Sequence, residues 1–457
     1  MTTSSGSQQE KKLEWWQLSL LGVACTVGTG FFLGSSIAIS MAGPSVILAY
    51  ALAAIGTYFV YEALAKLTIA DPQEGSFRIY AKKAYGRWAG FSCGWVYWLS
   101  ELLIMGSQLT ALSIFTRFWF PHIPLWIFAC GYSVLAIIVI LTGAKGFDRV
   151  ENLLAVLKIA AVVMFIVLAG VALFGFFGDG VETAPIPRTM GGFMPNGITG
   201  LLPALIFGFY GFAGIEIIGL LAIRLKNMED AMKTGKVMFA LLAFLYITSI
   251  SLALILMNWD QFTTDKSPFV SALREYAIPY IPHIFNGVFI IAGFSTMVAS
   301  LFAMIRILVS LANDHDAPFV LGKMTKKETP LPAIGVTAGA IIVSIVLSLL
   351  LPDRIYEYFT TAAGLMLLYN WYFIIGSSNR LLEITTGDKV KRIIGFIIVM
   401  TAIVGTAFHS ISRPGFYVSL LFVVIIALIT WIMVRIWKKN QSGKDPGPGS
   451  IFTKIKQ

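Results

Sequence analysis

The sequence predicts an all-α integral membrane protein with twelve transmembrane helices. Of its 457 residues 57% are hydrophobic and only 13% are charged, and the mean hydropathy is +0.79. A water-soluble domain carries about a quarter charged residues. Because a single soluble core stops growing beyond about 250–300 residues, a larger core does not explain the missing charge. The remaining apolar solvent is lipid.

Twelve apolar stretches follow one another along the chain. A bilayer core of about 30 Å needs about 20 apolar residues per helix. We place the spans near 18–40, 44–68, 88–118, 123–142, 150–176, 198–223, 235–258, 284–312, 331–351, 357–377, 392–410 and 415–437. The third and eighth are long enough to be tilted. This gives an N-terminal segment (1–17), one transmembrane domain (18–437) and a polar tail (438–457).

Lys and Arg residues set the orientation. With twelve spans both termini share one side, and most of the 34 Lys and Arg residues fall on that side. The opposite side carries Arg117, Arg188, Lys266, Arg274, Arg354 and Arg413. The excess predicts cytoplasmic termini in a multi-pass cell-membrane protein. The net charge of +10 therefore reflects orientation in the lipid bilayer and not a nucleic-acid partner. The polar first 17 residues indicate no cleavable signal peptide.

Enzyme and cofactor motifs are not found in the sequence. The three cysteines have no CxxC spacing, and the four histidines are scattered, so neither disulfides nor a metal site is expected. No nucleophile–base pair and no phosphate-binding loop is recognisable. We therefore expect no cofactor, no metal and no catalysis.

The first span is interrupted at its centre by Gly28, Thr29 and Gly30. Unwound backbone at this depth is tolerated where it lines a cavity. The second half of such a helix presents free N–H groups to an anionic group such as a carboxylate. The alternative is that these glycines serve close helix packing.

The sixth span repeats the interruption with Gly211 and Gly214, followed by Glu216. Paired glycine-interrupted helices point to a midplane site between inverted repeats. Five spans separate the two breaks. Spans 1–5 and 6–10 are therefore predicted to be the repeats, with spans 11 and 12 appended.

Four motifs in this order resemble the amino acid–polyamine–organocation superfamily of permeases. They are G-[ST]-G-[FIV] at Gly28–Phe31, the loop Pro72–Tyr80, F-x-G-x-E at Phe212–Glu216, and R-x-L-x-x-L-A-x-D within Arg306–Pro318. The aromatic stretches near Gly94–Trp98 and Phe118–Pro121 are similar to the bacterial amino-acid-transporter branch. The resemblance implies a LeuT-like 5+5 inverted repeat with broken helices 1 and 6. That branch usually has an acid where this chain has Gln108.

The resemblance also implies a clamp for a zwitterion. The substrate carboxylate would meet the N–H groups and hydroxyl of Thr29 and Gly30, beside Gly28. Its ammonium would meet carbonyls at the breaks, which are those of Thr26, Tyr210 and Ala213, next to Gly214. Tyr210 occupies the gate position, although it could instead only pack against a glycine notch. Neutral Thr29 and Gln108 favour a neutral substrate.

Ionisable residues inside the spans are the predicted gating and coupling groups. Lys158 lies about two turns inside the fifth span, where a charge costs about 2.5–3.5 kcal/mol on insertion. In similar permeases such a lysine reaches the broken first helix, in the place of the sodium ion of sodium-coupled relatives. The alternative is a lysine that snorkels to the interface. Glu101 and Glu216 are further candidates, and Glu216 could instead satisfy the backbone of the sixth helix.

Together these features predict a secondary carrier for amino acids that works by alternating access. Proton symport or exchange would supply the energy, so protons are the expected coupling ion, and the sequence specifies no oligomeric state. Cationic amino acids, recognised through Glu101, and amines are alternative substrates. A channel and a membrane enzyme are rivals from other classes, and neither needs paired helix breaks around one site.

Overall fold

A computed structural model describes residues 12–73, 75–142, 144–176, 183–276, 280–325, 329–350 and 355–442. Over these ranges the chain is helical, and its one β-type pairing is an isolated bridge between Leu13 and Leu225. The helices are α1 Trp15–Thr26, α2 Thr29–Phe32, α3 Gly34–Ala42, α4 Val46–Ala70, α5 Ser76–Tyr85, α6 Arg87–Arg117, α7 Leu125–Leu141, α8 Ala144–Leu173, α9 Met190–Phe193, α10 Gly197–Gly211, α11 Ile215–Leu221, α12 Asp230–Leu256, α13 Pro268–Leu273, α14 Ile281–Asn313, α15 Leu331–Leu350, α16 Ile355–Leu381, α17 Thr386–Phe408 and α18 Arg413–Ser442.

Each of the twelve predicted spans coincides with helix, but fewer than twelve helical stretches are long enough to cross a bilayer. Within the described ranges, nine helical stretches are long and apolar enough to cross a membrane, and Leu125–Leu141 and Leu331–Val346 are shorter apolar helices. The number falls below twelve partly because the first predicted span is divided. Its first half, α1, has 12 residues, and its second half is joined to α4 in one stretch, Thr29–Ala70.

Helix ends differ from the predicted boundaries at the termini. The polar tail was predicted from residue 438, whereas α18 continues to Ser442. Lys residues are good helix formers, so a change to polar composition does not by itself end a helix. The first helix begins at Trp15, inside the predicted N-terminal segment. The rest of both predicted terminal segments, residues 1–11 and 443–457, lies outside the described ranges.

Helix α6 lies at the centre of the bundle. It packs against α5, α7, α14, α15, α16 and α18. Apolar side chains on α17 and α18, by contrast, are largely exposed, as expected for helices that face lipid. The polar residues of α6 are therefore held inside the protein.

The start of α1 is tied to the segment that follows α11. The N–H of Leu13 donates to the carbonyl of Arg224 at 2.7 Å, and the N–H of Lys226 donates to the carbonyl of Leu13 at 3.0 Å. Glu14 and Lys226 form an ion pair. We call this arrangement the Leu13 pairing. It joins the first half of the first broken helix to the second half of the other.

A charged cluster joins α5 to the ends of α6 and α14. Arg78 is fully buried and donates to Asp314 at 2.6 Å and to Asp316 at 3.1 Å. Arg87 donates to the other oxygen of Asp316 at 2.8 Å. Burial acts to raise the pKa of Asp314, but hydrogen bonds from Arg78 and Lys82 hold that pKa below its ordinary value. Two of the sequence motifs, Pro72–Tyr80 and Arg306–Pro318, therefore meet in one ionic cluster.

Arg78→Ala is expected to destabilise the protein by on the order of 3 kcal/mol, because it leaves the buried carboxylate of Asp316 with one cation instead of two. The melting temperature of the detergent-purified protein measures this loss. Arg306→Ala is the matched control, since Arg306 is exposed and stacks on Phe302 with 5.1 Å to the ring centroid. Equal melting temperatures for the two variants would contradict a stabilising role for the cluster.

Candidate functional site

The first break separates α1 from α2. Val27 and Gly28 are extended, and the chain turns helical again at Thr29. The N–H groups of Thr29 and Gly30 lie in the first turn of α2, where a helix offers them no backbone acceptor. The Thr29 hydroxyl is buried and has no hydrogen-bond partner among the described residues. Three donors therefore converge at the start of α2.

The second break separates α10 from α11. Gly214 has φ +117°, a left-handed conformation that favours glycine. Its N–H donates to Glu216 Oε2 at 3.2 Å, and the indole N–H of Trp371 donates to Glu216 Oε1. The hydroxyl of Tyr246 donates to the carbonyl of Gly211 at 3.0 Å. Glu216 thus satisfies the backbone at this break, the structural alternative of its two predicted roles.

A cavity lies between the two breaks. Nine residues predicted from the sequence for binding, gating or coupling line it: Thr26, Gly28, Thr29, Gly30, Glu101, Gln108, Tyr210, Ala213 and Gly214. Lys158 and Glu216, also predicted, lie outside this lining. The face of α6 that carries Glu101 is therefore the face toward the cavity.

Tyr210 covers Gly30. A Cβ added at Gly30 would lie 2.7 Å from Cδ1 of Tyr210 and 3.1 Å from its carbonyl oxygen, so any larger residue would have to displace the Tyr210 ring. The hydroxyls of Tyr210 and Ser107 are 2.5 Å apart. The ring thus packs on a glycine notch, as the packing alternative requires, and it also lines the cavity.

Lys158 reaches the first broken helix from α8. Its side chain is fully buried, and its ammonium donates to the carbonyl of Ala24 in the last turn of α1. An ammonium that snorkelled to the membrane interface would be exposed, so this conformation differs from the snorkelling alternative. The charge is instead held two residues before the helix ends at Thr26.

Comparison with known proteins adds the family. Residues 17–443 match the amino acid permease family. The chain belongs to this family. It is 51% identical over 445 residues to the uncharacterized transporter YcgH of Bacillus subtilis (strain 168), covering 97% of this chain and 99% of that protein. It is 32% identical over 371 residues to the aromatic amino acid transport protein AroP of Escherichia coli (strain K12), covering 81% of each.

Membership assigns the chain to the multi-pass membrane proteins that transport amino acids. The resemblance to the amino acid–polyamine–organocation superfamily, drawn from four short motifs, is thereby confirmed. Two of those motifs form the breaks, and the other two form the ionic cluster around Arg78.

Five lining residues of the permease were not predicted. They are Cys25, Ile104, Ile217, Thr296 and Ser300. Thr296 and Ser300 are four residues apart on α14, so they share one face of the helix. Their spacing is the one signal available in the sequence, and it is weak because Ser and Thr commonly bond to their own helix. Thr296 does so, donating to the carbonyl of Gly293 at 3.0 Å.

Tyr210→Ala is expected to raise the KM of the permease for its substrate by about tenfold, since aromatic contacts add about 0.5–1.5 kcal/mol beyond burial. Tyr210→Phe should keep most of the activity, because it loses only the hydrogen bond to Ser107. Initial uptake rates in proteoliposomes, normalised to the amount of inserted protein, measure both. A KM and rate equal to wild type in Tyr210→Ala would return Tyr210 to a packing role.

Proposed function

We propose that this permease carries neutral L-amino acids across the cytoplasmic membrane by alternating access, coupled to protons or by exchange. The observation that carries the proposal is the cavity between two broken helices, which offers hydrogen-bond donors on one side and carbonyls on the other. A zwitterion needs both. A channel has no need of such a paired site.

The carboxylate of the substrate would lie at the start of α2. The N–H groups of Thr29 and Gly30 supply donors and the positive end of the helix dipole. The hydroxyl of Thr29, which has no partner within the described part of the chain, supplies a third donor. The Thr29 carbonyl already accepts from the hydroxyl of Tyr356 at 2.9 Å, which fixes the position of this residue.

The ammonium of the substrate would lie against carbonyls at the breaks. The Thr26 carbonyl ends α1, and the Tyr210 carbonyl accepts a hydrogen bond from the N–H of Ala213 at 3.2 Å. A carbonyl oxygen can accept a second bond. Ala213 lies at the end of the same break and contributes the third predicted carbonyl.

A neutral side chain fits the uncharged part of the wall. Gln108, Thr296 and Ile104 carry no charge and line the cavity. The relative AroP, at 32% identity, is named for aromatic amino acid transport, which makes aromatic amino acids the first neutral substrates to test.

A second candidate class is cationic amino acids or amines. One observation favours it: the acidic residue Glu101 lines the cavity.

Lys158 would couple transport to protons. When it is protonated, its ammonium holds the last turn of α1 through the carbonyl of Ala24. Loss of the proton would leave a neutral amine, which is a weaker donor and carries no charge at the end of α1, so α1 would loosen and release of substrate and of the proton would become linked. Glu216 would take part in gating because it accepts the N–H of Gly214 and so fixes the second break. Glu101 would take part because it lines the cavity.

The predicted topology completes the proposal. We infer twelve crossings with both termini in the cytoplasm and a repeat of spans 1–5 in spans 6–10. The two breaks support it, because they fall in the first span of each repeat. The charged cluster around Arg78 and the Leu13 pairing would then lie on the cytoplasmic side, where Lys and Arg residues are enriched.

The experiment that tests the function is counterflow of labelled phenylalanine in proteoliposomes. A carrier exchanges label against unlabelled substrate inside, whereas a channel lets the label equilibrate without exchange. A thermal-shift screen against the twenty amino acids identifies the binders first. Stabilisation by none of them, together with no exchange, would refute the proposal.

A further inference from the structure

The exposed face of α18 changes from apolar to basic near the end of the helix. Residues three and four apart lie on one face of a helix. On α18 they form an exposed stripe, which consists of Leu421, Val424, Leu428 and Trp431, followed by Arg435 and Lys438. We call it the α18 stripe. Its apolar part, from Leu421 to Trp431, rises about 15 Å, which is half of a hydrocarbon core of about 30 Å and so the depth of one leaflet.

Another face of α18 is fixed to α6 by the protein itself. The hydroxyls of Ser92 and Thr430 are 2.9 Å apart. The guanidinium of Arg87 lies 4.1 Å from the ring centroid of Trp437. Arg87 also donates to Asp316 at 2.8 Å. This arginine–tryptophan stack therefore finds its anion within the protein.

The α18 stripe holds a second arginine–tryptophan stack, which receives no anion from the described part of the chain. The guanidinium of Arg435 lies 3.6 Å from the ring centroid of Trp431, which is 54% exposed. Within the described ranges no carboxylate pairs with Arg435 or Lys438. The sequence of α18 contains neither Asp nor Glu.

The order of residues along the stripe matches the order of groups in a phospholipid. Trp is enriched at the membrane interface, between the acyl chains and the headgroups. Arg binds phosphate through two parallel hydrogen bonds, and Lys binds it as a point charge. The stripe thus places Arg435 and Lys438 at the level of the lipid phosphates, directly beyond an apolar path for acyl chains.

A second copy of the chain fits this face less well than a lipid. A twofold pair with its axis along the membrane normal brings the same surface of both copies together. It would set Arg435, Lys438 and Lys439 against the same three residues of the other copy. Like charges that face each other in an interface are unfavourable, and α18 has no acidic residue to offset them. An anionic lipid brings the opposite charge.

We propose that the α18 stripe is a binding site for an anionic phospholipid. Arg435 and Lys438 hold the phosphate, Trp431 lies beside the glycerol, and an acyl chain follows the stripe to Leu421. A lipid that binds the folded protein stabilises it. The site lies on the outside of the bundle, so the inference goes beyond transport and does not depend on the substrate.

The test compares an anionic with a zwitterionic lipid on the full-length protein. The protein is purified in detergent, stripped of lipid and titrated with dimyristoylphosphatidylglycerol or dimyristoylphosphatidylcholine. Native mass spectrometry counts the bound lipid, and the melting temperature is the second readout. Each Lys or Arg near a lipid phosphate contributes about fivefold in affinity. Wild type is therefore expected to bind the phosphatidylglycerol about twentyfold to thirtyfold more tightly.

Paired substitutions assign this preference to the stripe. Arg435→Gln combined with Lys438→Gln should remove most of it. Lys236→Gln combined with Lys323→Gln is the matched control, because it removes the same charge at exposed positions on other segments, and it should bind as wild type does. If the first pair folds poorly, Lys438→Gln alone, with an expected loss of about fivefold, replaces it.

Three results would overturn the lipid site. One is equal affinity of the wild type for both lipids, and another is an equal loss in both pairs of variants, which would assign the preference to net charge. The third is a disulfide that joins two copies of Leu428→Cys in liposomes beyond the level of wild type, which would make a second copy the occupant. None of these readouts involves an amino acid, so each leaves the proposed function untouched.

Discussion

Lys158→Ala is expected to abolish accumulation of substrate on an inward proton gradient, so that the concentration ratio falls to about one. The variant removes the buried ammonium that donates to the carbonyl of Ala24. Without it, the last turn of α1 loses a charge-assisted bond whose strength depends on protonation, and that link between the proton and the break is gone. Lys158→Gln restores a neutral donor, so exchange should persist in part while gradient-driven accumulation stays lost.

Uptake into proteoliposomes measures this result, with and without an imposed proton gradient and in sodium-free buffer. Lys236→Ala is the control lysine, because Lys236 is exposed on α12. The coupling role is wrong if Lys158→Ala still accumulates substrate on the gradient. A sodium requirement of the wild-type protein would also exclude this coupling role.

Gly30→Val is expected to abolish substrate binding while the protein still inserts and folds. The added Cβ would lie 2.7 Å from the ring of Tyr210 and would fill the space in which a carboxylate approaches the N–H groups of α2. The ring is the end of a side chain and can turn away, but the Tyr210 carbonyl at 3.1 Å belongs to the backbone. The thermal shift given by a saturating amino acid should vanish.

Comparing Gly30→Ala with Gly34→Ala separates the effect of a Cβ at Gly30 from the general effect of replacing a glycine in this span. Gly34 lies one turn further along the same span, and a Cβ there would meet its nearest atoms, on Phe207 and Tyr356, at an ordinary 3.7 Å. Gly34→Ala should therefore transport normally, whereas Gly30→Ala should be impaired. Normal transport by Gly30→Val would mean that the clamp lies elsewhere.

The parts of the fold that depend on composition were predictable from the sequence. Apolar stretches of about 20 residues mark helices because the bilayer demands that length. Both breaks were predictable too, since Gly28–Gly30 and Gly211–Gly214 weaken a helix wherever it lies. The end of α18 was predicted too early, at residue 437, because the change to polar composition was taken as its end, whereas the helix continues to Ser442, directly before Gly443.

The walls of the cavity were predictable only in part. The residues at the breaks form an unusual glycine pattern, but α14 is largely apolar, and the only signal for Thr296 and Ser300 was their four-residue spacing, which is weak. Which face of α6 carries Glu101 was likewise fixed only by packing against α14 and α16. Pairings between distant segments, such as Leu13 with Arg224, leave no local signature at all.

The Leu13 pairing has a mechanical consequence. Two backbone hydrogen bonds and an ion pair connect α1 to the chain just beyond α11, and each of these half-helices ends at one of the breaks. While the pairing holds, neither half-helix can move far without the other, so in the alternating-access cycle proposed above the two would move together about Val27–Gly28 and Phe212–Gly214. A substrate bound at one break would then restrain both half-helices, so that a molecule as small as an amino acid could control the position of two segments at once.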